Sequence, residues 1–229
     1  MNIYQYAITR LGEFAILIQV DSKASHELLE WLLAKKAQLQ VLTNVEVVTT
    51  YNEILVKSIN PVHFNYEGIE TRIHKILNSS KESIEANEII HKIPVCYHPE
   101  IAPDLEDYAS KVGLDIKSII NLHTAPVYPV HFIGFLPGFP YLEGLNSRLF
   151  LNRKETPSQH VASGSVAIGG TQTGIYPQQS PGGWHVIGKT PLHLFDISKT
   201  SPALIKAGDK IQFISITLEA YNLLSDKDE

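Results

Sequence analysis

Ten of the chain's fourteen glycines fall between Val127 and Asp196, interleaved with repeated Pro-Gly pairs. The stretch reads VYPVHFIGFLPGFPYLEGL and then HVASGSVAIGGTQTGIYPQQSPGGWHVIGKTPLHLFD. Glycine costs conformational entropy, and that cost is offset where the backbone turns with positive φ or must be approached closely. Such a density therefore predicts short strands joined by tight turns that line a pocket, and the function is expected there.

The preceding half reads differently. Residues 2–10 and 13–20 alternate apolar and polar around Gly12, which predicts two strands of a hairpin. Asp21 and Ser22 offer N-cap oxygens to a helix whose Leu28, Leu29, Leu32 and Leu33 recur at helical spacing to about Leu39. Strands are expected at Val45–Thr50 and Glu53–Ile59, a second helix over about Tyr66–Ser80 and a strand over about Glu88–Tyr97. The order β-β-α-β-β-α-β predicts an α+β layer, its last six elements having the order of a ferredoxin-like split βαβ unit. His63, His74 and His91 are too widely spaced to read as a metal set and are expected to be structural or solvated.

Two prolines, Pro99 and Pro103, interrupt both helix and central strand after Tyr97, which places the domain boundary there: 1–97 and 98–229. Short helices are expected at Asp104–Val112 and Asp115–His123, joined at Gly113. From Val127 on, short strands and turns end in an apolar run near Lys210–Leu218, the pattern of a β-barrel.

With 229 residues, 44% hydrophobic and 19% charged, the chain is long enough for two ordinary domains, and no apolar run approaches the ~20 residues of a membrane span. The opening MNIYQYAITRLGEFAILIQV alternates as strands do and lacks a basic start and a cleavage site, so a cytoplasmic location is expected. A net charge of −5 with scattered Lys and Arg predicts neither nucleic acid nor membrane as partner. Cys96 is the single cysteine; its apolar strand marks it as buried filler rather than a nucleophile, and no metal site is expected.

Gly183-Trp-His-Val-Ile-Gly188-Lys189-Thr190 satisfies the phosphate-loop expression GxxxxGK[ST]. That loop works only where a strand enters it and a helix begins at the Lys-Thr. Here Pro191 follows and LHLFD alternates, so a strand is expected instead. The Gly169–Gly174 turn would place Thr171, Gln172 and Thr173 beside free amides suited to a polar ligand, or be a plain barrel hairpin. Ser165 lacks the GxSxG setting of a nucleophile and is assigned to a turn or ligand contact. Arg148 and Arg153 can grip a carboxylate or phosphate, and His123 is a proton carrier in composition. Gly138, Phe139, Tyr141, Tyr176 and Trp184 stand beside tight turns as candidate pocket wall. The site proposed from sequence is thus His123, Arg153 and Gln172 as catalytic residues, with the others as substrate contacts.

GFLPGFPYLEGL, GSVAIGGTQTGIYPQQSPGGW and IGKTPLHLFD closely resemble the family containing the B subunit of bacterial 5-oxoprolinase, the kinase inhibitor KipI and proteins labelled allophanate hydrolase subunit 1. The resemblance implies a ferredoxin-like N-terminal domain followed by a cyclophilin-like β-barrel. It implies a component of an enzyme that opens 5-oxo-L-proline to L-glutamate with ATP as cosubstrate, none of it tightly bound, and with KipA-like and LamB/YcsF-type partner subunits. It leaves open a KipI-like inhibitor of a sensor histidine kinase, or a subunit handling a urea-derived amide. Relatives read TPR and VPAGSV where this chain has Thr156-Pro-Ser158 and Val161-Ala-Ser-Gly-Ser-Val166; the missing arginine at Ser158 makes Arg153 the better anion-binding candidate.

Overall fold

The computed structural model describes residues 4–60, 65–79 and 89–226, which fall into two compact units divided between Asn87 and Glu88. His63 lies outside the described residues. In the first unit β1 (Tyr6–Leu11) and β2 (Ala15–Val20) form the expected hairpin. They are followed by α1 (His26–Leu39), β3 (Val45–Thr49), β4 (Glu53–Ser58) and α2 (Tyr66–Leu77). The N-cap of α1 is Ser25, whose hydroxyl accepts from Leu28 N–H at 3.2 Å, rather than Asp21 or Ser22. A capping oxygen must sit two or three residues before the amide it serves.

The antiparallel sheet runs β1-β2-β4-β3. In a ferredoxin-like order the place beside β2 belongs to the strand after α2. Here β1 fills it, and the next strand, β5 (Ile90–Cys96), pairs elsewhere. The inward side chains of β2, β3 and β4 (Ile16, Ile18, Val45, Val47, Ile54, Val56) meet Leu28, Leu32 and Leu39 of α1 and Ile73 of α2 in one core.

Lys35 on α1 is fully buried, and its ammonium donates to the carbonyls of Ile76 at 2.6 Å and Ser79 at 2.9 Å and to the Ser79 hydroxyl at 3.2 Å. A cation thereby satisfies carbonyls at and just past the end of α2, where the helix dipole is negative. Lys35→Met, which keeps the stem but orphans those acceptors, is expected to cost this unit about 1–3 kcal/mol. Urea unfolding followed by Trp31 fluorescence in a Trp184→Phe background measures it; an unchanged midpoint would count against this capping role.

The second unit begins with β5 and continues through α3 (Leu105–Val112), α4 (Ile116–Thr124), β6 (Tyr128–Ile133) and β7 (Pro140–Leu142). A 3-10 turn at Ser147–Leu149 precedes β8 (Ser158–Val161), β9 (Ser165–Gly169), β10 (Gln172–Ile175), β11 (Ser180–Gly182), β12 (His185–Lys189), β13 (Lys210–Ile216) and α5 (Leu218–Ser225). Seven strands close a barrel in the order β10-β7-β6-β13-β5-β12-β9, and β8 and β11 pair separately. Because β5 is a barrel strand, parallel to β13, the division falls at 87/88 and not after Tyr97. The prolines at 99 and 103 mark the exit from β5 instead. The apolar run expected to continue as strand to Leu218 stops at Ile216, because Thr217 caps α5, its hydroxyl accepting from Ala220 N–H at 3.2 Å.

The architecture is α+β, as expected. Among the described residues no helix is long and apolar enough to cross a membrane.

Candidate functional site: the outer aromatic face of the barrel

Alternation along the strands sends Ile168, Thr173, Leu142 and Ile187 into the barrel core. Their neighbours point away from that core and are mostly buried a second time: Phe139, Tyr176 and Trp184 are 1%, 2% and 4% exposed. On β9, β10, β7 and β12 and the turns beside them those outward positions hold a second cluster of Phe139, Val161, Ala167, Tyr176, Trp184 and Val186, with Tyr141 and Leu136 against it. The rings meet edge to face: Phe139 lies 5.2 Å from Tyr176 and 5.5 Å from Trp184, and Tyr141 lies 5.9 Å from Trp184. Such contacts hold rings in fixed orientations, because the positive edge of one meets the negative face of the next.

Two glycines make this possible. A Cβ on Gly169 would stand 2.5 Å from the Trp184 indole, and one on Gly174 would stand 2.8 Å from the Pro140 carbonyl oxygen and 2.9 Å from the Phe139 ring. The backbone is bare where the aromatics lie down on it.

Arg153 completes the face, its guanidinium 5.7 Å from the Trp184 ring centroid. Gln172 pairs across β9–β10 with Gly169, the residue against which the same indole packs. Burial raises the pKa values of Tyr141 and Tyr176, with Arg153 pulling both the other way, so both phenols stay protonated at neutral pH. An arginine over a π-face, ringed by neutral phenols, is suited to binding and orienting a small flat ligand that carries a carboxylate.

The residues singled out from sequence divide accordingly. Arg153, Gln172, Phe139, Tyr141, Tyr176 and Trp184 gather at this face. Gly138, at φ 84, faces the Phe195 side chain and shapes the turn before β7. Arg148 is exposed on the 3-10 turn, and Thr171 is exposed in the β9–β10 turn. Ser165, buried at the start of β9, lines a separate groove of about 290 Å³ with His160 and Lys189.

His123 requires a correction. It is completely buried, with Phe213 stacked on it at 4.5 Å, and is not at a pocket edge. Burial drives its pKa down to about 3. Thr173 hydroxyl donates to the Ala167 carbonyl at 3.1 Å, so the hydroxyl oxygen accepts from His123 Nε2–H at 2.9 Å. Nδ1 then accepts from Tyr97 O–H at 2.7 Å. His123 and Thr173 are therefore a neutral polar clasp inside the barrel and are not poised for proton transfer or substrate contact.

Gly183–Thr190 is not a phosphate loop. Its second half is β12, and Lys189 reaches over the Tyr221 ring at 6.0 Å.

Four features escape the sequence. Phe135 has φ 65 and is 61% exposed, yet its ring joins Phe139 at 5.6 Å and Tyr176 at 6.2 Å. A positive φ on a bulky residue is a strained state that surrounding packing must hold. Buried His131, at a bulge in β6, has its Nε2 against the Glu143 carboxylate. Asp104, expected only as a helix start, joins Lys154 at 2.5 Å, and His185 donates from Nε2 to the Asn152 carbonyl at 2.9 Å. The last three depend on which distant segments lie side by side, which no local sequence signal reveals.

The family model for the carboxyltransferase domain, subdomain C and D, matches residues 6–205. The B subunit of 5-oxoprolinase from Bacillus subtilis is 32% identical over 97% of this chain and 98% of its own length. That of Haemophilus influenzae is 38% identical over 90% of this chain and 96% of its own. The solved structure of TTHA0988 superposes with a TM-score of 0.77 at 29% identity over 88% of this chain, which spans 40% of that longer one. A match of these lengths, on a barrel whose outer face is assembled from the motif residues, places this chain in the carboxyltransferase subdomain C and D family, alongside the B subunits of 5-oxoprolinase.

Proposed function

We propose that this chain is the B subunit of an ATP-dependent 5-oxoprolinase, contributing the aromatic face with Arg153 to the site where 5-oxo-L-proline is opened to L-glutamate. The observation that carries the reading is identity of 32–38% to three proteins named as that component of 5-oxoprolinase, each match covering at least 89% of this chain. The chemistry agrees. The substrate is a flat five-membered lactam with one carboxylate: half-buried Tyr141 supplies apolar surface for the ring, and exposed Arg153, backed by the buried Trp184 indole, supplies the counter-charge. In this reading Gln172 hydrogen-bonds the ring carbonyl and polarises it. Among the face residues there is no paired nucleophile and base, and the histidine with the chemistry for that task is locked in the core. The remaining groups, and ATP binding, belong in this reading to KipA-like and LamB/YcsF-type partner subunits.

Reconstitution tests this. The purified chain alone is expected to release no glutamate from 5-oxo-L-proline and ATP, whereas the mixture with both partner subunits turns over. Turnover by the single chain, or none by the full set, would show the assignment to be wrong.

A further inference from the structure

Arg153 sits in a loop, yet its two neighbours are both fastened to the segment that carries the indole. On one side the Asn152 carbonyl accepts from His185 Nε2–H at 2.9 Å. On the other, Lys154 N–H donates to the Gly183 carbonyl at 2.7 Å. Residues 152 and 154 thus bond to residues 185 and 183, so Arg153 is bracketed directly opposite Trp184. This is a two-bond clasp on the backbone either side of Arg153.

The Lys154 side chain is tied down as well. Its ammonium lies 2.5 Å from Asp104 Oδ2 and donates to Ser158 Oγ at 2.9 Å. Asp104 is itself fixed, since the same oxygen accepts from Val186 N–H at 2.7 Å and the Asp104 amide donates to the Val186 carbonyl at 3.2 Å. The ion-pair side chains are only 16% and 19% exposed, so solvent screens them less than a surface pair. His185 is 2% exposed, which holds its ring, and hence the Asn152 carbonyl, in one place. Asp104, Lys154 and His185 line, with Arg153, a cleft of about 560 Å³. They come from α3, β12 and the 152–158 segment, so no single local element sets the arginine.

We propose that Asp104, Lys154 and His185 are positioning residues that hold Arg153 over Trp184, and that they thereby set the preference of the site for a ligand bearing a carboxylate. The inference rests on the reading of Arg153 as the carboxylate grip and goes beyond it. A free arginine on a loop samples many rotamers, and a guanidinium bonds a carboxylate bidentately only in a narrow geometry. The clasp and the ion pair fix the backbone from which the guanidinium reaches, and so narrow the orientations it can take over Trp184 before the ligand arrives.

The test uses the reconstituted complex and two probes of the same ring, 5-oxo-L-proline and its neutral carboxamide, with binding of each measured by calorimetry. The wild type is expected to prefer the acid by roughly 10–100-fold, the range of a good charge-assisted pair. Arg153→Ala should abolish the preference. Asp104→Asn, Lys154→Met and His185→Phe should each reduce it to about threefold or less while the affinity for the carboxamide changes little. Lys154→Arg restores the ion pair and should restore the preference, an effect that a merely structural role would not produce. Glu155→Gln, an exposed neighbour outside the clasp, should behave as wild type. If Arg153→Ala loses the preference but Asp104→Asn and Lys154→Met, folded by near-ultraviolet circular dichroism, retain it, the positioning role is wrong. If Arg153→Ala itself retains it, the carboxylate grip is wrong and the clasp has nothing to position.

Discussion

His123→Phe is expected to unfold more easily at neutral pH but to lose less stability in acid than the parent protein. The neutral imidazole accepts from Tyr97 and donates to Thr173 with no exposure to water. Phenylalanine fills most of that volume and leaves the Tyr97 hydroxyl without a partner, at a cost of about 2–4 kcal/mol at pH 7. Acid narrows the gap. The folded pKa of about 3 lies below the ordinary histidine value of 6.5, so the histidine's contribution is fully present above the unfolded value and drains away as pH falls toward the folded one. Between pH 7 and 4.5 the parent should lose about 2–3 kcal/mol through this group alone, and the variant none of it. Urea unfolding followed by Trp184 fluorescence in a Trp31→Phe background, at both pH values, measures the gap between the two proteins. A gap that stays constant would mean that His123 is not held neutral.

Gly169→Ala should be the most damaging small substitution for function. The added methyl would stand 2.5 Å from the Trp184 indole, about 1 Å inside contact distance, and Trp184 carries Arg153 above it. Displacing both by about an ångström is expected to lower kcat/KM of the reconstituted enzyme by about 30–100-fold, with about 1–3 kcal/mol lost from the barrel through overpacking. Kinetics on 5-oxo-L-proline, alongside the fluorescence of Trp184, decide it. Full activity with an unmoved indole would show that the close approach of Gly169 does not matter.

What could be read from the sequence follows the range of the interaction concerned. Helical spacing of Leu28, Leu29 and Leu32, alternation over Val45–Thr49 and the glycines of 127–196 are local signals, and each led to the element that formed. The aromatic face was legible as composition, since Phe139, Tyr141 and Trp184 stand next to the turns that gather them. His123 was not. Its chemistry suggested proton transfer, but whether the last turn of α4 faces water or Phe213 is decided by strands far away in the chain. The strand after α2 misled for the same reason: its residues suit either sheet, and only the place already taken by β1 and the partner offered by β13 send it into the barrel. Asp104 and His185 carry no motif, because their roles exist only once α3 and residues 152–154 lie beside β12.

That parallel pairing of β5 with β13 also orders events in time. Ile90 bonds beside Lys210, so the barrel's seam joins segments roughly 120 residues apart, the kind of contact that makes folding slow. The first unit has its own core, drawn from residues 16–77, so it can fold while the rest of the chain is still being made. The barrel has no such freedom. Until residues 210–216 leave the ribosome, β5 offers an unpaired edge to any passing strand, and the protein's exposure to aggregation is concentrated in that interval of its synthesis.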